Sequence, residues 1–272
     1  TMMHAIHSFN LKTSAVFLYI STLVKLIVIV SFVGFGLIMR SEVENAMVYA
    51  PSVGQELVSP AFAVALIYVT YSYSGWNAAA YITEEFAHPR RSLPRALVIG
   101  TVLVTFLYTA LHFVFLKHAP QEALEGQVEV AAIVAEYMFS APVAVWVGRL
   151  IALLLISSMS AMVWVGPRVV AKMGQDFERW TFFKGQAGHI PFRALMLQWA
   201  LTILLLLTGT FEQILVYCGI LLSISSMLTV MGVFVIRRRQ NVDTGQFRSP
   251  LFPFFQIFFV VVSVWMIIFT AI

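Results

Sequence analysis

Charge is scarce in this sequence. Only 11% of the residues are charged, 60% are hydrophobic, and the mean hydropathy is +0.87. A soluble domain carries about 25% charged residues. Less than half of that leaves too little polar surface to face water, so a polytopic membrane protein is the expected class. Cysteine is nearly absent. The lone Cys218 excludes an intrachain disulfide and a Cys-based zinc site, and its apolar surroundings mark it as an inert thiol. There is no glycine-rich phosphate loop, nucleophile elbow or metal-ligand cluster, so no enzyme, cofactor or metal is expected. His4 and His7 stand three apart with no third ligand near them. The net charge of +4 does not point to nucleic acid, because the positive residues sit in short loops between apolar runs.

Those apolar runs organise the chain. A membrane-spanning helix needs about 20 apolar residues. Seven segments fit that need, at about 15–39, 60–86, 96–116, 141–167, 192–209, 213–236 and 250–272. Together they predict a single transmembrane domain. The run at 129–140, EVAAIVAEYMFS, is too short and too acidic to cross and reads as an amphipathic surface helix. Loop charges set the expected orientation. Lys12, Arg90, Arg91, Arg95, Arg168, Lys172, Arg179, Lys184, Arg193, Arg237, Arg238, Arg239 and Arg248 fall on one side. Arg40 and Lys117 fall on the other, with Glu42, Glu44, Glu56, Glu122, Glu125, Glu129, Glu136 and Glu212. The positive-inside rule then puts the N-terminal end in the cytoplasm. The chain opens TMMHAIHSFN, without a signal-peptide pattern, and closes IIFTAI within an apolar run, so a fragment is expected.

The second segment contradicts its own hydropathy. Its centre reads TYSYSGWNAAAY and holds Ser72, Ser74, Gly75 and Asn77, all poor helix formers. In hydrocarbon a break is tolerated only where it lines a cavity or is buried in protein, and secondary transporters bind substrate at such breaks. The first half-helix would present carbonyls near Tyr71–Ser74 to an ammonium group. The second would start near Asn77, acting as N-cap, and present amides to an anion. A zwitterion uses both. The plainer alternative is a Gly/Ser kink that only relieves packing.

SYSGWNAAAYITEEFAHPRRSLPRAL resembles the sixth helix and following loop of permeases in the amino acid–polyamine–organocation superfamily, especially its L-type amino acid transporter-like branch. SSMSAMVWVGPRVVAKMGQD resembles the eighth helix, with Pro167 in place of a small residue. GVFVIRRRQNVDTGQFRSPLFPF resembles the loop after the tenth. The resemblance covers the chain as helices five to eleven. It implies an all-α polytopic membrane protein with part of a LeuT-like fold of two inverted five-helix repeats, with about seven transmembrane helices and one of them broken. Helices one to four of the same protein, absent from this sequence, would supply the other half of the substrate site.

The same resemblance assigns roles. Tyr71, Ser72, Tyr73, Ser74, Gly75, Trp76 and Asn77 fall at the substrate-binding break, with Tyr71 at an aromatic gate and Ser72, Ser74 and Gly75 acting through backbone atoms. Lys25 matches a fifth-helix lysine that stands where sodium-coupled relatives bind a cation. The partner site on helix eight falls at Ser157 and Ser158. Read alone, Lys25 is equally a lysine snorkelling to the cytoplasmic face. Glu84 and Glu85 read as a helix end paired with Arg90 or Arg91 in a latch, not as catalytic carboxylates. His112 reads as a packed or hydrogen-bonded histidine, Arg149 as a snorkelling or paired cation, and Tyr217 as packing or a cavity border. The expected function is secondary active transport of amino acids or related amines across the plasma membrane by alternating access, proton-coupled or as an exchanger. The competing readings are a non-transporting amino-acid sensor and an inactive truncated permease. A channel is disfavoured because no continuous polar stripe runs along the helices.

Overall fold

The computed structural model describes residues 11–41, 43, 53–81, 88–185, 190–239, 249 and 251–270. Among them every regular element is helical. The long or apolar helices are α1 (Leu11–Ile38), α3 (Pro60–Ser72), α5 (Pro89–His118), α8 (Ala141–Asp176), α9 (Phe192–Thr208), α10 (Phe211–Arg239) and α11 (Phe254–Thr270). Short helices α2 (Val53–Glu56), α4 (Trp76–Tyr81), α6 (Gln121–Leu124) and α7 (Val130–Met138) lie between them, and a 3-10 turn covers Glu178–Phe183. Among the described residues, four helices are long and apolar enough to cross a membrane: Tyr19–Ile38 within α1, α5, α8, and Phe211–Arg238 within α10. α3, α9 and α11 are shorter apolar helices.

Several helices run past the apolar segments that predict them. α5 begins at Pro89 rather than near 96, and α8 continues from 167 to Asp176. Hydropathy marks the length that lipid covers, whereas arginine and lysine are good helix formers and prolong the helix beyond it. Proline is also tolerated in a first turn, as Pro89 is here. Pro167 lies inside α8 and removes one ladder donor. Side chains supply donors nearby. Arg168 Nη1 donates to the Trp164 carbonyl while its guanidinium lies 3.9 Å over the Trp164 ring. Gln198 Nε2 from α9 donates to the Met162 carbonyl at 3.3 Å.

The chain divides into two compact units, residues 1–48 with 99–200 and residues 49–98 with 201–272. In the first, α7 buries one face and leaves Glu136 and Tyr137 exposed on the other. Val134 and Met138 are buried against Val114 and Ala119, with Phe32 and Phe115 packed around them. The end of α1 is tied to the end of α5. Lys117 Nζ donates to the carbonyls of Gly36 at 3.0 Å, Leu37 at 3.0 Å and Met39 at 2.8 Å. His118 Nε2 donates to the same Gly36 carbonyl at 2.6 Å, and Ser41 Oγ returns a bond to Lys117 O at 2.5 Å. The last carbonyls of a helix have no partner within it, so a cation there answers both their hydrogen-bonding need and their partial charge.

In the second unit α3, α10 and α11 pack against one another. Gly219 of α10 makes the closest approach. A Cβ there would stand 2.6 Å from Ile67 Cγ2, so only glycine admits the buried Ile67 of α3. α3 is started firmly by Ser59, whose Oγ accepts from the Phe62 N–H at 3.1 Å, followed by Pro60 in the first turn.

Candidate functional site

α3 has 13 residues, about 20 Å at 1.5 Å per residue, and cannot cross a 30 Å hydrocarbon core alone. It ends at Ser72. Residues 73–75 form a turn, and the helix resumes as α4 at Trp76. The Tyr73 N–H still reaches Val69 O at 3.2 Å, but the Ser74 N–H turns to Tyr71 O at 3.0 Å, one residue short of the helical register. That shift is the break. The Ser72 hydroxyl bonds back to its own helix, donating to Tyr68 O at 2.9 Å. Because helix resumes at Trp76, Asn77 lies in the first turn of α4 and not at its cap. The N-cap expectation is corrected by a chain that re-enters the helix earlier. Gly75 has no positive φ, and a Cβ on it would meet nothing within 4 Å. The break therefore does not depend on glycine geometry.

Of the seven expected binding residues, Tyr71, Ser74, Trp76 and Asn77 border one small cavity of about 50 Å³ within the second unit. Ser72, Tyr73 and Gly75 do not line it. Thr70, Gly219, Leu222, Ser223, Ser226, Phe259 and Ser263 complete its wall. Sequence reading missed the α10 and α11 contributors. The trace was present in GILLSISSM, where Gly219, Ser223 and Ser226 recur at helical spacing along one face.

In the first unit Lys25 Nζ donates to Ser158 Oγ at 2.6 Å, so two residues far apart in sequence meet between α1 and α8. Lys25 is half-buried there and does not reach away along the helix to its end. Ser157 occupies the neighbouring position on α8, but its side chain lies outside the described ones. Glu84 and Glu85 also lie outside the described residues, and Arg90 and Arg91 are exposed in the first turn of α5. His112 is exposed, with Nδ1 bonded to its own helix at Tyr108 O, 2.8 Å. Arg149 lies 4.9 Å over the Trp146 ring. Tyr217 is 64% exposed and stands outside the cavity wall. The clamp made by Lys117 and His118, which hold the end of α1, has no signal in the residue pattern.

Comparison with known proteins decides the family. The amino acid permease family model matches residues 1–272, the whole chain. The chain belongs to the amino acid permease family. It is an all-α, polytopic integral membrane protein, a portion of an L-type-transporter-like permease. Similar proteins include large neutral amino acids transporter small subunit 2 of Mus musculus, 29% identical over 75% of this chain and 39% of the relative. The serine/threonine exchanger SteT of Bacillus subtilis (strain 168) is 24% identical over 76% of this chain and 48% of the relative. Asc-type amino acid transporter 1 of Mus musculus is 38% identical over 35% of this chain and 18% of the relative. The permease chain thus spans about half or less of the length of the curated relatives it matches.

Proposed function

We propose that this permease forms part of a secondary transporter that moves amino acids or related amines across the plasma membrane by alternating access. The observation that carries the reading is the break at 73–75 inside an otherwise apolar helix, in a chain of this family. Backbone groups released at such a break can meet both charged ends of an amino acid, while the flanking half-helices move around it. The other half of the substrate site would come from helices one to four of the same protein. Loops rich in Lys and Arg face the cytoplasm in this reading, with the N-terminal end of the chain.

Coupling is assigned to Lys25. An amine inside an apolar helix is costly and marks a functional group. Its bond to Ser158 gives it a neutral partner on a second helix, so gaining or losing a proton alters a contact between α1 and α8. The test is uptake of radiolabelled neutral amino acids into liposomes carrying the complete permease. Wild type should show counterflow and pH-driven uptake. Lys25→Ala should lose the pH-driven part and retain substrate binding. Counterflow absent from wild type would support the sensor reading. Unchanged pH-driven uptake in Lys25→Ala would remove its coupling role while leaving transport intact.

A further inference from the structure

The cavity beside the break presents hydroxyls from three helices to one small space, and one of them has nothing to bond. Ser263 is 1% exposed, and its Oγ has no hydrogen-bond partner among the described residues. Buried polar groups without partners are rare and mark an unassigned ligand or water. Thr70 Oγ1 donates to Leu66 O at 2.8 Å, and Ser223 Oγ donates to Gly219 O at 2.8 Å. A hydroxyl has one proton and two lone pairs. Thr70 and Ser223 have therefore given their protons to their own helices and offer only lone pairs to the cavity. Ser263 still has its proton to give. An occupant matched to these hydroxyls accepts one hydrogen bond and donates others.

Its size is also bounded. About 50 Å³ is open to the centre of a water-sized sphere, and admitting one water takes roughly 10–15 Å³ of such space. Among the described residues no acidic side chain lines the wall, so a metal cation would lie there uncompensated. An apolar group would leave Ser263 unpaired. We propose that this cavity is an ordered-water site, with one or a few waters linking Ser263 of α11 and Ser223 of α10 to the broken backbone of α3. The chemistry follows from the three hydroxyls. Water accepts from Ser263 and donates to the lone pairs of Ser223 and Thr70. Such water gives the break a partner belonging to neither neighbouring helix. The turn at 73–75 can then exchange hydrogen bonds without baring a backbone group to hydrocarbon. This site is independent of the transport reading, since it stands on the second unit alone.

The test is hydroxyl-radical labelling by millisecond X-ray exposure of the purified chain in detergent, where bound water is the radical source. Phe259 borders the cavity, and Phe177 is an exposed control in the other unit. Wild type should be labelled at both. Ser263→Val, which fills the space and removes the hydroxyl, should lose labelling at Phe259 several-fold and keep it at Phe177. Ser263→Ala gives the same reading should the valine variant fail to fold. The proposal is overturned by a wild type unlabelled at Phe259, or by variants whose Phe259 labelling is unchanged. It is also overturned if exchanging sodium for choline changes Phe259 labelling, which would make the occupant a cation.

Discussion

Lys117→Met removes a clamp whose cost can be worked out bond by bond. The ammonium directs its three protons at three carbonyls, those of Gly36, Leu37 and Met39. Hydrogen bonds to a charged group contribute about 1.5–3 kcal/mol each in favourable cases. The simple sum overstates the loss. Gly36 O keeps its bond from His118 Nε2, and Leu37 is half exposed, so solvent replaces part of what is lost. A net cost of about 2–4 kcal/mol follows once one carbonyl stays satisfied and another is rehydrated. At roughly 2–4 °C per kcal/mol for a chain of this size, apparent melting falls by about 4–16 °C. Lys117→Arg should fall between, because a planar guanidinium cannot aim at three carbonyls converging on one point. Lys184→Met, which removes a charge without such a clamp, should melt like wild type. The assay is loss of monodisperse protein after heating in detergent, read at one fixed heating time because unfolding of such proteins is irreversible. A Lys117→Met protein that melts within about 1 °C of wild type would refute the argument.

Other substitutions test the packing. Gly219→Ala places a methyl 2.6 Å from Ile67 Cγ2 and should destabilise by about 1–3 kcal/mol, and that penalty should shrink in an Ile67→Ala background, which removes Cγ2, when read in a thermal-melt cycle. Gly75→Ala meets nothing and should leave both melting and substrate binding unchanged; a large loss in either would show that the break needs glycine after all. Gly174→Ala brings a Cβ to 2.7 Å from Lys184 N and 2.8 Å from Trp180 O, both backbone atoms that cannot give way cheaply. It should loosen the 3-10 turn and speed trypsin cleavage at Arg179 and Lys184 several-fold, with no change in cleavage meaning the turn does not rest on α8.

The architecture was legible because lipid imposes a simple rule. Apolar length and Lys/Arg placement mark the helices, and the break showed itself as polar density in an apolar run. Helix ends were less legible, since α5 and α8 continue as far as helix propensity allows and not only as far as lipid covers. The meeting of Lys25 with Ser158 was expected from family resemblance, not from spacing, because residues so distant in sequence are joined only by tertiary packing. The Lys117 and His118 clamp was illegible for the same reason. A lysine ending an apolar segment looks alike whether it faces lipid headgroups or three carbonyls. Ser263 was hidden by its setting in a strongly apolar helix, where a lone serine ordinarily bonds back to its own backbone.

Pro167 in α8 and the turn at 73–75 are two of the places where a helix of this permease loses a ladder bond, and the contrast between them separates a forced loss from an unforced one. At Pro167 the missing donor is inevitable, and donors from Arg168 and Gln198 reach the carbonyls of Trp164 and Met162 beside it. The helix runs on to Asp176. At 73–75 no proline forces an interruption, and Gly75 needs no special φ, yet the chain turns and Ser74 pairs out of register with Tyr71. Closing that gap would need only ordinary helical bonds, which Ser and Gly permit at a cost of about 0.5–1 kcal/mol each. So small a propensity cost does not explain a break placed among hydroxyls and aromatics and beside a cavity. If it were a packing defect, replacing Ser74 and Gly75 together by alanine should straighten the helix and stabilise the chain while leaving substrate binding intact. If the break is the working part, the same pair should stabilise the chain and abolish binding. Melting and binding measured on that one double variant therefore decide between the two.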